Sequence, residues 1–326
     1  MFPTSILAGT YGATAGSTPD PTPDTITYHS FVNSGSTGAY MAEFNNNLYA
    51  FPSNNTKIRV STDSGATWNN SPLITNIALQ NGPPVVESDK ILFINGSSSN
   101  NYVAQWDGTN SISLPVSGTS SLSQIALFQK IGNYYYINDY AGPLERSTSL
   151  SSGWSNIYNT GRHKFITESG GTFIWGGRSG FNGITKDDFN SVSSAFSSSL
   201  WVDASATDGN GNWVTAGQYQ MLYSTDDGDN WNNIQLRSSG DTAQINITYP
   251  TNILNIGNKF VYLDRGNKKL LSISTSLSAT PTVTVEKDFA DSSATTNPFA
   301  INKIGDALYI TDYYNSVFGY HKLDLT

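Results

Sequence analysis

The chain has 326 residues, enough for one large domain or two ordinary ones, and contains no cysteine, which excludes disulfides and thiolate metal sites. Its formal charge of −8 argues against a large basic surface for nucleic acid, and it has no run of about 18 apolar residues that could span a membrane. A hydrophobic content of 37% with only 13% charged residues, 18 Tyr and 7 Trp is typical of an all-β protein with many turns.

Residues 1–25 are predicted to form an extended arm. The stretch Gly9–Asp24 is rich in Ala, Gly, Ser, Thr and Pro, so it cannot bury enough apolar area to fold alone. We therefore expect the arm to be held by a partner or by the folded domain. Met1–Ala8 lacks the basic and apolar regions of a secretory signal, which predicts a chain made and assembled in a cytoplasm.

A repeat begins after the arm. Each copy is a polar hairpin turn followed by a short aromatic or β-branched strand, and successive copies are 37 to 48 residues apart. A four-stranded propeller blade needs roughly 40 to 50 residues, so seven copies predict an all-β, seven-bladed β-propeller over residues 26–326. The anchor residues of the seven copies are Leu48, Ile91, Tyr135, Thr172, Trp213, Phe260 and Leu308.

The strands of the first blade are predicted at Tyr40–Phe44, Leu48–Phe51 and Lys57–Ser61, with a fourth from Trp68. The fifth blade repeats the later part of this pattern.

The seventh blade is one strand short. Its strands are predicted at Pro298–Lys303, Ala307–Thr311 and Ser316–Lys322, after which the sequence ends. Thr25–Phe31 precedes the first blade and has strand character, so we expect it to supply the outer strand and close the ring. No segment has a sustained helical period. One short helical turn is expected at most, between Lys186 and Phe196.

One motif stands out within the repeat. Its pattern is Ser-x-Asp-x-Gly-x-x-Trp, in which the Asp carboxylate can accept backbone N–H groups, the Gly supplies a positive φ and the Trp closes the turn. A degenerate copy covers Ser147–Trp154. The two full copies are Ser61, Asp63, Gly65 and Trp68, and Ser224, Asp226, Gly228 and Trp231.

The motif resembles the Asp-box, also called the BNR or sialidase-type repeat, which lies on the outer side of propeller blades. The resemblance implies a propeller and a structural role for these eight residues, because this box folds a turn and performs no chemistry. Sialidases also need three Arg, a Tyr–Glu nucleophile pair and an acid Asp. Here the segment Lys57–Val60, which holds Arg59, directly precedes one box and Arg146 precedes the degenerate copy, both on the outer half of a blade, so the arginines do not converge.

Three carboxylates follow second strands at equivalent places in different blades: Asp139, Asp264 and Asp312. Two acids facing across a cleft could perform glycoside chemistry. We favour a polar strand-to-loop turn for each of them. With Arg178 and Arg265, they remain candidate ligand-binding residues of a propeller face.

No metal or cofactor is expected. Asp208–Asn212 resembles a calcium loop but lacks the following Gly and a downstream Glu, so a plain turn is favoured. His29, His163 and His321 are far apart and are interpreted as ordinary strand or loop residues.

Aromatic residues offer possible stacking surfaces for a sugar or a protein. The triplet Tyr134–Tyr136 is expected to pack mainly in the core, because strand side chains alternate. The basic segment Asp264–Lys269 is interpreted as a solvated hairpin tip, with docking of an acidic partner as the alternative. The stacking candidates are Tyr140, Tyr313 and Tyr314, which are interpreted as loop residues that favour exposure, together with Trp175 and Trp201.

The arm and the low-charge strands rich in Asn, Ser, Thr and Tyr resemble bacteriophage virion proteins in composition. This resemblance implies a non-enzymatic virion structural protein of the tail, the adsorption apparatus or the shell decoration, assembled in a host cytoplasm. It would dock other virion proteins through residues 1–25 and the propeller faces, and could also recognise a host surface glycan. The alternatives are a carbohydrate-active propeller enzyme and a propeller of the photosystem-assembly-factor type.

Overall fold

The structure is a computed structural model, and its fold is an all-β, seven-bladed β-propeller. None of the described residues is helical, so this part of the chain holds no helix that could cross a membrane. The residues that the structure describes are 27–31, 39–52, 58–70, 83–97, 100–114, 125–139, 142–158, 161–177, 182–196, 201–217, 220–234, 237–238, 250–278, 280–289, 298–314 and 317–325.

The described residues fall into two compact units. One contains residues 27–162 and 298–325, and the other contains residues 163–289. Blades 1 to 3 of the first unit are four-stranded antiparallel sheets in the order of the chain. After β1 (Thr27–Ser30), their strands are β2 (Ala39–Phe44), β3 (Asn47–Pro52), β4 (Arg59–Ser61), β5 (Asn69–Asn70), β6 (Val85–Val86), β7 (Ile91–Ser97), β8 (Asn100–Trp106), β9 (Ser111–Leu114), β10 (Ile125–Ile131), β11 (Tyr134–Asp139), β12 (Leu144–Ser147) and β13 (Ser155–Tyr158).

Blades 4 to 6 form the second unit. Blade 4 has three strands, blade 5 has four, and blade 6 has five because β21 adds to its outer edge in parallel. The strands are β14 (His163–Ser169), β15 (Thr172–Gly177), β16 (Gly183–Thr185), β17 (Ala204–Thr207), β18 (Trp213–Gly217), β19 (Gln220–Ser224), β20 (Asn232–Ile234), β21 (Arg237–Ser238), β22 (Pro250–Ile256), β23 (Lys259–Asp264), β24 (Lys269–Ser274) and β25 (Thr282–Asp288).

Blade 7 belongs to the first unit and confirms the predicted closure. Its own strands are β26 (Pro298–Ile304), β27 (Ala307–Tyr314) and β28 (Val317–Asp324). Strand β1 pairs antiparallel with β28, placing Thr27 opposite Lys322 and Ser30 opposite Gly319. The outer strand of the last blade therefore comes from the beginning of the domain, although residues 25 and 26 lie outside the described part.

The predicted repeat register is confirmed in every blade. Each of the seven anchor residues lies in a second strand and is buried. In blade 1 the hairpin before the anchor turns through Asn45 and Asn46, with φ of 50° and 60°. Asn tolerates this left-handed conformation better than most residues, which explains the polar turn in the repeat.

The core of each unit lies between neighbouring blades. In the first unit one cluster joins blades 7 and 1 and includes Phe31, Trp68 and Tyr320. In the second unit a cluster of blades 5 and 6 includes Val214 and Phe260. Alternate strand residues supply these faces, as period-2 patterning requires.

The predicted helical turn between Lys186 and Phe196 is wrong. Asp188 and Phe189 have φ of 55° and 68°, which no right-handed helix allows. A single antiparallel bridge between Ile184 and Ser193 follows, in the place where other blades have a fourth strand. Blade 4 therefore has an irregular outer segment in its described part.

Candidate functional site

The three candidate carboxylates occupy one structural position in their blades. Asp139 and Asp264 are the last residues of β11 and β23, whereas Asp312 lies inside β27. All three are at least nine-tenths buried, and each faces a first-strand residue that is followed by a β-bulge. The first-strand partners are Ile125, Pro250 and Pro298.

Asp312 forms a buried pair with a histidine. Its Oδ2 lies 3.0 Å from Nε2 of His321 on β28, and the ring of Tyr28 packs 5.0 Å from the imidazole. His321 is paired with Ile310, two residues before Asp312, so both side chains lie on one face of the blade. The sequence did not indicate this pair, because the predicted strand Ala307–Thr311 ends one residue before Asp312; a longer strand would have placed Asp312 on the face of His321.

Asp264 closes the turn that follows it. Its carboxylate accepts hydrogen bonds from the backbone N–H of Asn267 at 3.1 Å and from Nδ2 of Asn267 at 2.7 Å. The side chain is fully buried, whereas Arg265 is half-buried. The expected role in a strand-to-loop turn fits this geometry.

Asp139 ends its strand at a tight reversal. Its carbonyl accepts a hydrogen bond from the N–H of Gly142 at 3.1 Å, and Nδ2 of Asn138 donates to the carbonyl of Gly142 at 2.9 Å. The position again serves the strand-to-loop turn. Tyr140 and Arg178, two further candidates, lie outside the described residues.

Two predictions about aromatic residues are wrong. Tyr313 and Tyr314 are not loop residues, because β27 continues through them and pairs them with Phe318 and Val317. Their side chains are outside the described part. Trp175 is fully buried, since it lies inside β15, and offers no stacking surface.

Trp201 remains a candidate for stacking, with 39% of its surface exposed. Its backbone is fixed by its neighbours, because Val202 donates to the carbonyl of Gly177 at 3.1 Å and Asp203 to that of Ala216 at 2.9 Å. A Cβ on Gly217 would overlap the carbonyl of Trp201, so that position requires glycine. The expected packing of the Tyr triplet is confirmed for Tyr135 and Tyr136, which are buried.

The two Ser-x-Asp-x-Gly-x-x-Trp turns have the same hydrogen bonds. In blade 1 the Asp63 carboxylate accepts the hydroxyl of Ser61 at 2.7 Å and the N–H and hydroxyl of Thr67 at 2.8 and 2.5 Å. These bonds, chiefly the one from the Thr67 hydroxyl, lower the pKa of Asp63 to about 2. Trp68 donates its Nε1 to the carbonyl of Gly65 at 3.1 Å.

In blade 5 the Asn230 side chain replaces the threonine hydroxyl. It donates to the Asp226 carboxylate at 2.6 Å and lowers the pKa of Asp226 to about 2. Ser224 accepts the N–H of Gly228 at 2.9 Å, and Trp231 donates to the carbonyl of Gly228 at 2.9 Å. Each carboxylate is committed to its own turn.

A further turn of this kind lies in blade 4, where the sequence did not indicate one. The Asp187 carboxylate accepts the hydroxyl of Thr185 at 2.7 Å and the N–H and hydroxyl of Ser191 at 2.9 and 2.6 Å. Its pKa is lowered to about 2, chiefly by the Ser191 hydroxyl. Phe189 stands at the Gly position and Val192 at the Trp position. These two replacements remove the Gly and Trp of the motif, so the pattern does not match. The signal that could have indicated the turn is the set Thr185, Asp187 and Ser191.

The turns also join neighbouring blades within each unit. In the second unit Asp227, inside the blade 5 turn, accepts the hydroxyl of Thr172 on blade 4 at 2.5 Å and Nε1 of Trp213 at 3.0 Å. A Cβ on Gly228 would lie 2.7 Å from Ile184 of blade 4. The motif therefore fixes blade packing as well as its own turn.

These features define a β-propeller whose most regular motif is structural. No protein-family model and no curated protein matches the sequence. Among solved structures, YCF48 bound to a D1 peptide has a TM-score of 0.63 at 12% identity, covering 94% of this chain and 98% of that chain. The WD40 propeller domain of Doa1 has a TM-score of 0.62 at 9% identity, covering 90% and 96%. The GH74 enzyme of Niastella koreensis has a TM-score of 0.59 at 14% identity, covering 88% of this chain and 51% of that chain. At these identities the likeness shows the fold alone.

Proposed function

We propose that this chain is a non-enzymatic structural protein of a virion that acts by docking other proteins. The observation that carries the proposal is that two of its candidate catalytic acids are bonded to side chains of their own blades. Asp312 is buried against His321, and Asp264 is buried in two bonds to Asn267. A glycosidase needs acids that reach a substrate in a cleft, whereas these two serve their own blades.

The virion assignment rests on amino-acid composition and on the turn motif. The turns of Asp63 and Asp226 resemble the Asp-box, a repeat that tail proteins share with several other classes of propeller. The Ala/Gly/Ser/Thr/Pro-rich residues 1–25 suit an arm that inserts into a neighbouring protein, and the propeller faces suit further contacts. The site of action is then the virion, in the tail, the adsorption apparatus or the shell decoration.

One structural neighbour, YCF48, is bound to a D1 peptide in its solved structure, which supports a docking role for a propeller of this fold. That likeness keeps a propeller of the photosystem-assembly-factor type as an alternative of the same general class. A virion protein and an assembly factor would both use the propeller as a rigid surface for another protein.

Carbohydrate recognition is the second candidate. The half-exposed indole of Trp201, held on a fixed backbone beside Gly217, offers a flat apolar surface of the kind on which a sugar ring stacks. The GH74 neighbour is an enzyme, so this candidate extends to a carbohydrate-active propeller.

The test compares the full chain with a variant that lacks residues 1–25. Both are produced in cells that make the assembled particle, and particles are purified and probed for the chain by mass spectrometry. We expect to find the full chain in the particles at a fixed stoichiometry. The truncated chain should be absent from the particles, although its thermal midpoint should equal that of the full chain. Absence of the full chain from particles, or equal incorporation of the two, would contradict the proposal.

A further inference from the structure

The second unit, residues 163–289, has two ends that differ in charge. In antiparallel blades the first-to-second and third-to-fourth strand turns lie at one end, and the second-to-third turns lie at the other. Blades 5 and 6 are aligned at the first of these ends, where Nδ2 of Asn255 donates to the carbonyl of Thr207 at 2.9 Å. The strand order therefore assigns each charged residue to an end.

The end with the first-to-second turns is acidic. Its described residues include seven carboxylates, one lysine and Arg237, which stands opposite Thr282, besides the internal pair of Lys259 and Glu286, which lie 3.4 Å apart. That lysine, Lys186, contacts Asp229 at 2.8 Å. The carboxylates are Glu168, Asp187, Asp188, Asp208, Asp226, Asp227 and Asp229.

The opposite end is basic. Its described residues include five cations and three carboxylates, and one of the carboxylates, Asp264, is fully buried in its turn. Lys269 pairs with Asp288 at 3.1 Å. The cations are Lys164, Arg265, Lys268, Lys269 and Lys287.

Both ends are preorganised. At the acidic end Asp187 and Asp226 are locked in their turns, and at the basic end Lys268 has a fixed φ of 56° and its carbonyl accepts the N–H of Phe289 at 2.9 Å. Charges on a fixed backbone lose less entropy when they meet a partner. Opposite charges on opposite ends of one unit fit a second copy in the same orientation.

We propose that copies of this chain dock head to tail, the basic end of the second unit in one copy against the acidic end of the second unit in the next. Such a contact is heterologous, so it builds a ring or a stack rather than a closed dimer. Complementary ends also allow close approach despite the net charge of −8 on each copy. This inference rests on the proposed assembly function and names a second copy as the partner.

Charge reversal at each end tests the contact. The basic-end variant is Arg265→Glu with Lys268→Glu, and the acidic-end variant is Asp188→Lys with Asp229→Lys. Asp187, Asp226 and Asp264 stay unchanged because they hold their turns. A lysine is acceptable at position 188, where φ is 55°, because Lys268 already adopts φ of 56°.

The measurement is sedimentation of purified full-length chains over a range of concentrations. We expect wild-type association that weakens as salt is raised, and a dissociation constant roughly tenfold higher or more for either variant alone. An equimolar mixture of the two variants should form complexes again, because the intact acidic end of one meets the intact basic end of the other.

The thermal midpoint of each variant checks its folding, and Arg265→Gln with Lys268→Gln replaces the basic-end variant if that one fails to fold. A monomeric wild type, variants that associate like the wild type, or a mixture that stays dissociated would overturn the proposal. Incorporation of the chain into particles through residues 1–25 is measured separately. If only the head-to-tail contact is wrong, the chain should still be incorporated into particles although purified copies do not associate.

Discussion

The hydroxyl of Tyr320 donates to the carbonyl of Gly65, 3.3 Å away, across 255 residues of sequence. Gly65 belongs to the Ser-x-Asp turn of blade 1, and Tyr320 lies on β28 of blade 7. The ring of Phe31, next to β1, packs against Trp68 of the same turn with centroids 4.6 Å apart. The turn motif, the closing strand and the last blade therefore share one junction.

Phe31 should be a main source of stability at this junction. The side chain is fully buried among Trp68, Tyr320 and their neighbours, so Phe31→Ala should lower the free energy of unfolding by about 3–5 kcal/mol. Denaturant unfolding measures the change. The exposed neighbour Ser30 supplies the control, because Ser30→Ala should stay within about 0.5 kcal/mol of wild type. A Phe31→Ala variant as stable as that control would show that β1 does not close the ring.

Gly65→Ala should destabilise the protein for two reasons. Its φ of 95° disfavours any side chain, and the new Cβ would overlap the hydroxyl of Tyr320. We expect a loss of roughly 2–4 kcal/mol, against about 1 kcal/mol for Gly132→Ala, where φ is 56° and none of the described residues has an atom within 4 Å of the new Cβ. In a Tyr320→Phe background the Gly65→Ala penalty should shrink, because the overlapping hydroxyl is gone. Equal penalties in the two backgrounds would rule out this contact.

The Asp turns should make stability fall at acidic pH. The pKa of Asp63, Asp187 and Asp226 is lowered from 3.8 to about 2 in the folded chain. Their contribution is therefore complete above pH 3.8 and is lost as the pH falls from 3.8 to about 2, because the unfolded chain then binds more protons.

Urea unfolding at several pH values measures this slope. Asp63→Asn should flatten it, whereas Ser30→Ala, which changes no ionisable group, should leave it unchanged. A slope that Asp63→Asn does not alter would contradict the assignment of Asp63 to the turn.

The turn of blade 4 can be tested at Thr185, which is buried. Its hydroxyl donates to Asp187 and accepts the N–H of Phe189 at 3.2 Å, so Thr185→Ala should cost roughly 1–3 kcal/mol of unfolding free energy. Thr185→Ser keeps the hydroxyl and should cost less. Equal effects of the two substitutions in denaturant unfolding would argue that the hydroxyl does not hold the turn.

Most of the fold could be predicted from sequence because the same local interactions recur in every blade. A polar turn before each buried anchor, such as Asn45–Asn46 before Leu48, fixes a hairpin by local rules. The strand over Thr27–Ser30 could be assigned to blade 7 because that blade lacked a fourth strand. The blade 4 turn could not be predicted from a glycine, because Phe189 takes the glycine position with a positive φ. The ring of Phe189 packs against those of Phe173 and Trp175, with centroids 5.1 Å and 5.2 Å away.

Less of the candidate site could be predicted. The common position of Asp139, Asp264 and Asp312 followed from the repeat, but their burial and partners depend on side-chain packing across strands. Asp312 meets His321 through the register of β27 and β28, and β27 runs two residues beyond Asp312. The bond from Thr172 to Asp227 joins two blades, so no local pattern could indicate it.

We expect the buried acids to stabilise their own blades. Asp312→Ala would leave His321 without this carboxylate in a buried site, so it should lower the free energy of unfolding by roughly 1–3 kcal/mol. Asp312→Asn, whose amide can still bond to the imidazole, should lower it less. A stability of Asp312→Ala equal to that of wild type would contradict this role.

The most direct measurement is the release of reducing sugar from a panel of polysaccharides by the wild-type chain and by the Asp139→Asn, Asp264→Asn and Asp312→Asn variants, with thermal midpoints recorded in parallel. If the acids are structural, release should stay at the level of the blank for every protein, and the substitutions should lower the midpoints. Release by the wild type that is lost in a variant of unchanged midpoint would contradict a structural role and identify an enzyme.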